Sequence, residues 1–301
     1  MLVRNDIGSL LLPGLHKVWG DTYNDYQEEY SQAFKIETSS RSFEQDFGMT
    51  SLGLVPTKAE GKAIDYDTAY SGYTTTYTHL SYGLGFIISR EMIEDDLYRK
   101  VNNLPKALAR SNRHTVEILA QNFLNYAFDT TNQPLGDAYS LVNTAHPLVG
   151  GGTWSNQIAV SSDLDVTSLE QALIDISLNW IDDRGLKILA RPTKLIVPPQ
   201  LDFQCKMILK SAGLPDTANN NINPAMGILP GGHIVWHWLT DVNAWFIQTD
   251  VPNGLTFFWR RRPEFTNDSD FDSENAKFKT TFRCSFGATD PRCIYGSPGS
   301  Y

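Results

Sequence analysis

Between Tyr73 and Phe86 the chain alternates with a period of two, with Thr74, Thr76, Thr78, Leu80, Tyr82, Leu84 and Phe86 set against Tyr73, Thr75, Tyr77, His79 and Ser81. That period is a strand's, and threonine and tyrosine suit its pleated surface. The segment before it, from Leu52, is punctuated by Pro56, Gly61 and Gly72. With Glu60-Gly61 as the tip, Leu52 to Ser89 reads as one long two-stranded ribbon. A lone hairpin is marginal in water, and this one has little apolar surface to bury. The pattern therefore predicts a ribbon completed by another chain.

Helical signals follow. Ser89 is an N-cap candidate, and Glu91, Glu94, Asp95 and Asp96 load the next turns with the negative charge that the positive end of a helix dipole favours. Pro105 opens a second run in which Leu108, Val116, Leu119, Phe123 and Ala127 recur mostly at spacings of three and four, predicting a helix to Phe128, about 36 Å long. Asp129 to Ser162, with Gly150, Gly151 and Gly152 in a row, is loop-dominated and separates two halves. Thr167-Ser168-Leu169-Glu170 has the form of a capping box, and Leu169, Ala172, Leu173, Ile176, Trp180 and Ile181 make one apolar stripe ending before Gly185.

Leu186 to Ala190 and Lys194 to Val197 read as buried strands, and Leu201 to Ala212 as a helix closed by Gly213. Leu214 to Gly232 reads as a loop. Ile234 to Leu239, Ala244 to Thr249, Leu255 to Arg261 and Lys277 to Phe286 are aromatic-rich strands, with Asn253-Gly254 as a tight turn. In the first fifty residues Pro13, Gly14 and Gly20 interrupt the pattern, leaving only Thr22 to Phe34 as a short helix. The fold class is α+β.

Composition excludes several function classes. Hydrophobic residues at 41% against charged residues at 20%, in a chain of 301, give a folded protein with ample core and exclude a disordered one. A net charge of -9 argues against a surface built to neutralise phosphates. Apolar runs fall far short of the roughly 20 residues of a membrane span. Ile7 to Leu15 faintly resembles an export signal, but Asp6 precedes it and no cleavage site follows, so an unexported protein is expected. Cys205, Cys284 and Cys293 lack C-x-x-C spacing and read as reduced, buried thiols.

Catalytic and ligand motifs are incomplete. Gly83-Leu84-Gly85 has Ile88 where a dinucleotide loop needs a third small residue, and Gly61-Lys62 is followed by Ala63 where a phosphate loop needs Ser or Thr. Asp268, Asp270, Asp272 and Glu274 imitate a calcium loop, but Ser273 replaces its glycine and Lys279 its bidentate Glu, so a solvated acidic turn is the better reading. His233, His237 and Asp241 would form a metal triad if one strand aligned them, and His146 before the glycine run would suit an oxyanion loop if a nucleophile accompanied it. Packing or surface roles are expected for these histidines. Arg260-Arg261-Arg262 is expected to pair with carboxylates. The chain is thus expected to be no enzyme, with no cofactor and no metal. A stripe of Lys106, Arg110 and Arg113 at i, i+4, i+7 on the long helix is the one segregated basic face, the alternative being a solvated face paired with Glu117.

Taken in order, three stretches resemble the major capsid proteins of tailed double-stranded DNA phages, with the Hong Kong 97 type fold, and more loosely the Mu-like major head subunits. They are Tyr82-Gly83-Leu84-Gly85-Phe86-Ile87-Ile88-Ser89-Arg90-Glu91-Met92-Ile93-Glu94-Asp95-Asp96, then Ala145-His146-Pro147 with Gly150 to Gly152 and Asn156, then Phe286-Gly287-Ala288-Thr289-Asp290-Pro291-Arg292. The likeness spans about residues 40 to 296.

The resemblance implies an N-terminal arm (1–45), an extended loop (46–88), a peripheral domain with the long helix (89–162), an axial domain (163–250) and a return to the peripheral domain (251–301). It implies a structural subunit that assembles in the host cytoplasm into hexamers and pentamers of an icosahedral head around double-stranded DNA. The expected partners are a scaffolding protein, a portal and a decoration or cement protein, and the location is the virion. Some relatives cross-link a loop lysine to a neighbour; Lys58 and Lys62 lie in that loop, without a motif for the partner asparagine. Inter-subunit contacts are expected at Lys58, Glu60, Lys62, Tyr73 and Tyr77. The stripe Lys106, Arg110 and Arg113 is expected to face DNA or scaffold in the interior. The alternatives are an encapsulin-like compartment shell and a His-dependent hydrolase.

Overall fold

A computed structural model describes residues 7–89, 91, 92, 95, 100–132, 135–213, 221–269 and 275–300. Two four-stranded sheets organise the chain. The first has the order β1 (Lys35–Thr38), β10 (Leu255–Ser269), β11 (Ala276–Ala288), β4 (Leu80–Ile88), with β1 parallel to β10 and the other pairs antiparallel. Helix α2 (Asn103–Asn125) lies on it. Its inward residues Val116, Ala120, Phe123 and Leu124 share a core with Phe257, Trp259, Phe282 and Cys284, and Asn112 Nδ2 donates to Thr280 Oγ1 at 2.9 Å. The predicted Pro105–Phe128 helix is thus present, shifted towards the N-terminus by less than one turn.

Helix α1 (Ile7–Asp25) corrects the reading of the first fifty residues, because it runs through Pro13, Gly14 and Gly20. Poor local propensity is overridden by packing: Leu15 and Trp19 are buried with Leu108, Phe265 and Phe278, and the Trp19 ring stacks on Phe265 at 5.8 Å. Residues 22–34 hold the end of this helix and a 3₁₀ turn, Tyr30–Gln32.

The second sheet has the order β12 (Ile294–Ser297), β9 (Trp245–Thr249), β7 (Pro192–Val197), β8 (His233–Val235). It is the wall between two cores. Alternation along each strand sends Leu195, Val197, Trp245, Ile247 and Tyr295 to one side and Ile196, Phe246 and Ile294 to the other. Helices α3 (Val166–Asn179) and α4 (Asp202–Lys210) cover the first side through Leu169, Ala172 and Ile176 and through Cys205, Ile208 and Leu209. The stripe on α3 is the predicted one, but its capping box is not. Asp165 is the N-cap, accepting from Ser168 N–H at 2.5 Å, while the Ser168 hydroxyl accepts from Asp165 N–H at 2.9 Å. Thr167 falls inside the first turn.

Several strand limits also differ. Residues 186–190 contribute only an isolated bridge, Ile181 to Lys187, and the strand expected over 234–239 shrinks to β8. β10 continues past Arg261 through two register shifts, while β1 and β12 are strands that local pattern did not indicate.

The ribbon differs most. Its outgoing strand is β2 (Phe43–Met49), paired antiparallel with β3 (Ser71–Thr78), and residues 50–70 carry no strand but turn at Glu60-Gly61, where Gly61 has φ +75°. The alternating run is divided at His79, so that β3 serves the ribbon and β4 serves the first sheet. His79 is buried at the division, with Nδ1 2.9 Å from Ser285 Oγ and Nε2 3.1 Å from Ser39 Oγ. The root of the ribbon closes on two glycines: a Cβ at Gly72 would lie 2.8 Å from the Gly48 carbonyl oxygen.

Candidate assembly surface

The loop beyond the ribbon is drawn together at a neck. Thr50 N–H donates to the Tyr70 carbonyl at 3.0 Å, Tyr70 N–H to Thr50 Oγ1 at 2.8 Å, and Gly53 N–H to Asp67 Oδ2 at 2.8 Å. Asp67 also pairs with Arg184, whose other branch reaches the Thr68 carbonyl, and Ser51 Oγ bonds Asp182. The Gly53 amide, the Arg184 guanidinium and the Thr68 amide hold the Asp67 carboxyl down to about 2.

Past the neck, Leu54 is 81%, Val55 95%, Ile64 64% and Tyr66 95% exposed. The expectation that the ribbon has little apolar surface to bury is corrected here, since its loop carries apolar side chains that none of the described residues covers. Lys58, Glu60 and Lys62 are exposed around the tip, and Tyr73 is partly exposed. Tyr77 is a correction: at 3% exposure it lies inside the subunit, its hydroxyl 2.7 Å from Thr289 Oγ1 and its ring edge-on to Phe258. It braces the ribbon against the end of β11 and offers no contact surface.

Beneath the ribbon root lies a cavity of about 240 Å³ lined by Tyr73, Asp137, Trp154, Asp183, Asp290 and Arg292, among others. Two of the stretches that carry the resemblance meet there, one of them with Asn156, although more than a hundred residues separate them. Arg292 donates to the Ile181 carbonyl (2.9 Å), Asp183 (3.3 Å) and Asp290 (3.3 Å), with its guanidinium 4.6 Å from the Trp154 ring centre. His146 has no exposed surface, stacks on Trp154, and has both nitrogens engaged, Nδ1 2.7 Å from Asp137 and Nε2 3.2 Å from Asn156. Asn156 Nδ2 donates to the carbonyls of Leu141, Pro291 and Ile294. This is a packed crosspiece between segments, and sequence spacing alone did not reveal it.

The basic stripe on α2 is incomplete. Lys106 and Arg110 are exposed, but Arg113 is 4% exposed, donates to Glu28 at 2.6 Å and to the Tyr23 carbonyl at 3.0 Å, and sits 4.0 Å over the Tyr23 ring. Arg113 fastens the N-terminal segment and is withdrawn from any interior surface. Glu117, one turn on, is equally buried and receives Glu29 N–H at 2.9 Å and Tyr30 N–H at 3.1 Å. Burial pushes its carboxyl up to about 7. Gln121 joins the same cluster, donating to Glu29 at 3.0 Å and accepting from Trp238 N–H at 2.9 Å.

The metal triad that an aligned strand would have allowed is not assembled. His237 pairs with Glu29 (2.6 Å), His233 with Asp202 (2.9 Å), and Asp241 accepts from the amides of Asn243 and Ala244. Among the described residues no group of three or more ligating side chains could hold a metal. Asp270, Asp272, Ser273 and Glu274 lie outside the described residues, as do Glu94, Asp96 and Arg99. Arg261 bonds the Thr281 hydroxyl at 3.0 Å. The three cysteines are buried free thiols, and burial pushes Cys205 and Cys284 up to about 12. Among the described residues no helix is long and apolar enough to cross a membrane.

The model of a family described as phage capsid protein matches residues 72–297. No curated protein matches the chain. Among solved structures, the virus-like particle from Pyrococcus furiosus is similar at 11% identity with a TM-score of 0.54, over 95% of this chain and 98% of that one. The procapsid of bacteriophage JBD30 is similar at 13% identity and TM-score 0.56, over 99% of this chain and 77% of that one. The capsid of a native GTA particle is similar at 14% identity and TM-score 0.56, over 92% of each chain. At such identities these likenesses speak for the fold, which is of the Hong Kong 97 type, and the family match covers most of the chain. This chain belongs to the phage capsid protein family.

Proposed function

We propose that the chain is the major capsid subunit of a tailed phage, assembling into the hexamers and pentamers of an icosahedral head that encloses double-stranded DNA. The observation that carries this is the apolar surface of residues 54–66, held out beyond a bonded neck where none of the described residues covers it. A second copy of the chain is the partner that would bury it. On this reading residues 1–45 are the arm, 46–88 the extended loop, 89–162 with 251–301 the peripheral domain, and 163–250 the axial domain. Scaffold, portal and decoration proteins would be its other partners, and Lys106 with Arg110 the non-specific contact to DNA or scaffold. The role is structural, without catalysis. It would be exercised in the virion, after assembly in the host cytoplasm.

An encapsulin-like shell is the second reading, favoured by the fold likeness to the Pyrococcus furiosus particle across nearly the full length of both chains. Negative-stain microscopy of the expressed protein, with nucleic acid and protein content measured on purified particles, tests both. Regular heads that take up DNA support the capsid, a small shell with a co-purifying enzyme supports the compartment, and a subunit that stays monomeric at all concentrations overturns both.

A further inference from the structure

Resting on the assembly reading above, we propose that Arg184 is the positioning residue of the extended loop, gripping its neck so that the apolar residues beyond reach a second copy of this chain in a fixed bearing. The grip starts from a rigid post. Residues 181–187 form a tight turn in which Asp182 N–H donates to the Leu186 carbonyl at 2.7 Å, and Gly185 takes φ +81°, a conformation a side chain would strain. The Asp182 carboxylate accepts from the amides of Arg184 (2.9 Å) and Leu186 (2.8 Å), which fixes the backbone from which the guanidinium projects. The post is rooted in the body of the subunit: Asp183 receives Arg292 at 3.3 Å, and its carbonyl accepts from Gly150 N–H at 3.0 Å.

On the loop side Asp67 is the point of purchase. It takes Gly53 N–H from the outgoing limb and Thr68 N–H from the returning limb, both at 2.8 Å, so whatever holds Asp67 holds both limbs. Arg184 supplies one branch to this carboxylate and the other to the Thr68 carbonyl, with the Tyr70 ring 5.3 Å from the guanidinium. A forked, planar donor meets that geometry, and a lysine ammonium does not. Residues 54–66 form no strand. A segment left to swing from the ribbon would have to be ordered at the moment of docking, and holding its base beforehand removes part of that cost. Because the post sits between α3 and β7, the grip ties the loop to the second sheet's module, whereas the ribbon root is tied to the first.

The test uses the full chain in its unassembled state. Arg184→Gln should raise hydrogen exchange of residues 50–53 and 67–70 by about tenfold while α3 and β7 keep the parent's protection, and should raise the concentration needed for shells several-fold. Arg184→Lys should recover little of either. Asp67→Asn, at an exposed position on which no core depends, should reproduce the exchange effect if Arg184→Gln disturbs folding. Added salt should loosen the neck in the parent and leave Arg184→Gln unchanged, a response that a merely space-filling side chain would not give. Parent-like neck exchange in both variants would overturn the proposal, as would a looser neck with an unmoved assembly threshold. A parent that forms no shells at all would instead sink the assembly reading, and exchange in the free subunit would still decide whether Arg184 holds the neck.

Discussion

Residues 28–34 and residues 50–70 both depart from the sheets of this subunit, yet Tyr30 and Phe34 are 1% and 3% exposed while Val55 and Tyr66 are each 95% exposed. The first segment is finished by its own chain: Phe34 stacks parallel to Trp236 at 6.0 Å, and the amides of Glu29 and Tyr30 end on the buried Glu117. The second is fastened at its base and left open above it. Segments of the first kind contribute to the stability of a single subunit. Segments of the second kind add little to it, and on the proposed reading they acquire their value when a neighbour arrives. Damage to one should therefore appear in unfolding, and damage to the other in assembly.

The largest effect is expected from replacing residues 54–66 with a Gly-Ser linker of equal length. Shell formation should fall by at least ~100-fold in sedimentation while the melting temperature stays within about 2 °C of the parent. Normal shells from this variant would erase the distinction between the two segments. Phe34→Ala should do the reverse, costing about 3–5 kcal/mol in urea unfolding of the free subunit. A loss below ~1 kcal/mol would mean the segment is not sealed as described.

Glu117→Gln sharpens the comparison through pH. Burial raises the folded carboxyl from its ordinary 4.5 to about 7, so the folded state holds a proton that the unfolded chain has released. That contribution is complete below the unfolded value and is lost as pH rises through 7. The parent should therefore lose on the order of 2 kcal/mol between pH 5 and pH 8 relative to Glu117→Gln. Parallel stability curves for the two proteins would remove Glu117 as the titrating group. The smallest effect is assigned to Lys106→Gln with Arg110→Gln, which should leave unfolding within ~0.5 kcal/mol and empty-shell assembly intact. Retention of DNA by filled heads should then become weaker and less salt-dependent. Unchanged retention would make this a solvated helix face.

What could be read from sequence was mostly what is decided within a turn or two of the residue. Leu169, Ala172 and Ile176 announce α3 by spacing alone, and all three have no exposed surface. Apart from the cap of α3, where Asp165 takes the place read for Thr167 two residues on, the main failures have a long-range cause. Helix α1 survives Pro13 and Gly14 because Trp19 finds Phe265, and Arg113 leaves its stripe because Glu28 lies 85 positions earlier. Tyr77 continues a surface-like alternation until Thr289, 212 positions on, claims its hydroxyl. The loop's apolar content was written in Leu52, Leu54, Val55, Ile64 and Tyr66, but without a period that would mark it as a face. Its neck was invisible for the same reason as the rest, since Arg184 and Asp67 are 117 positions apart.

The strand order carries a consequence for how the subunit folds. Among the described residues β12 is the last strand and is buried along its whole length beside β9, while β1 pairs with β10 more than two hundred positions later. Contacts of such long range form slowly. A polypeptide released before Ile294 lacks an edge of the sheet that separates the two cores, and with it the setting for Tyr295 and for the Asn156 crosspiece. If the chain builds a shell as proposed, copies lacking this edge would thus be kept out of it by topology itself, a form of proofreading.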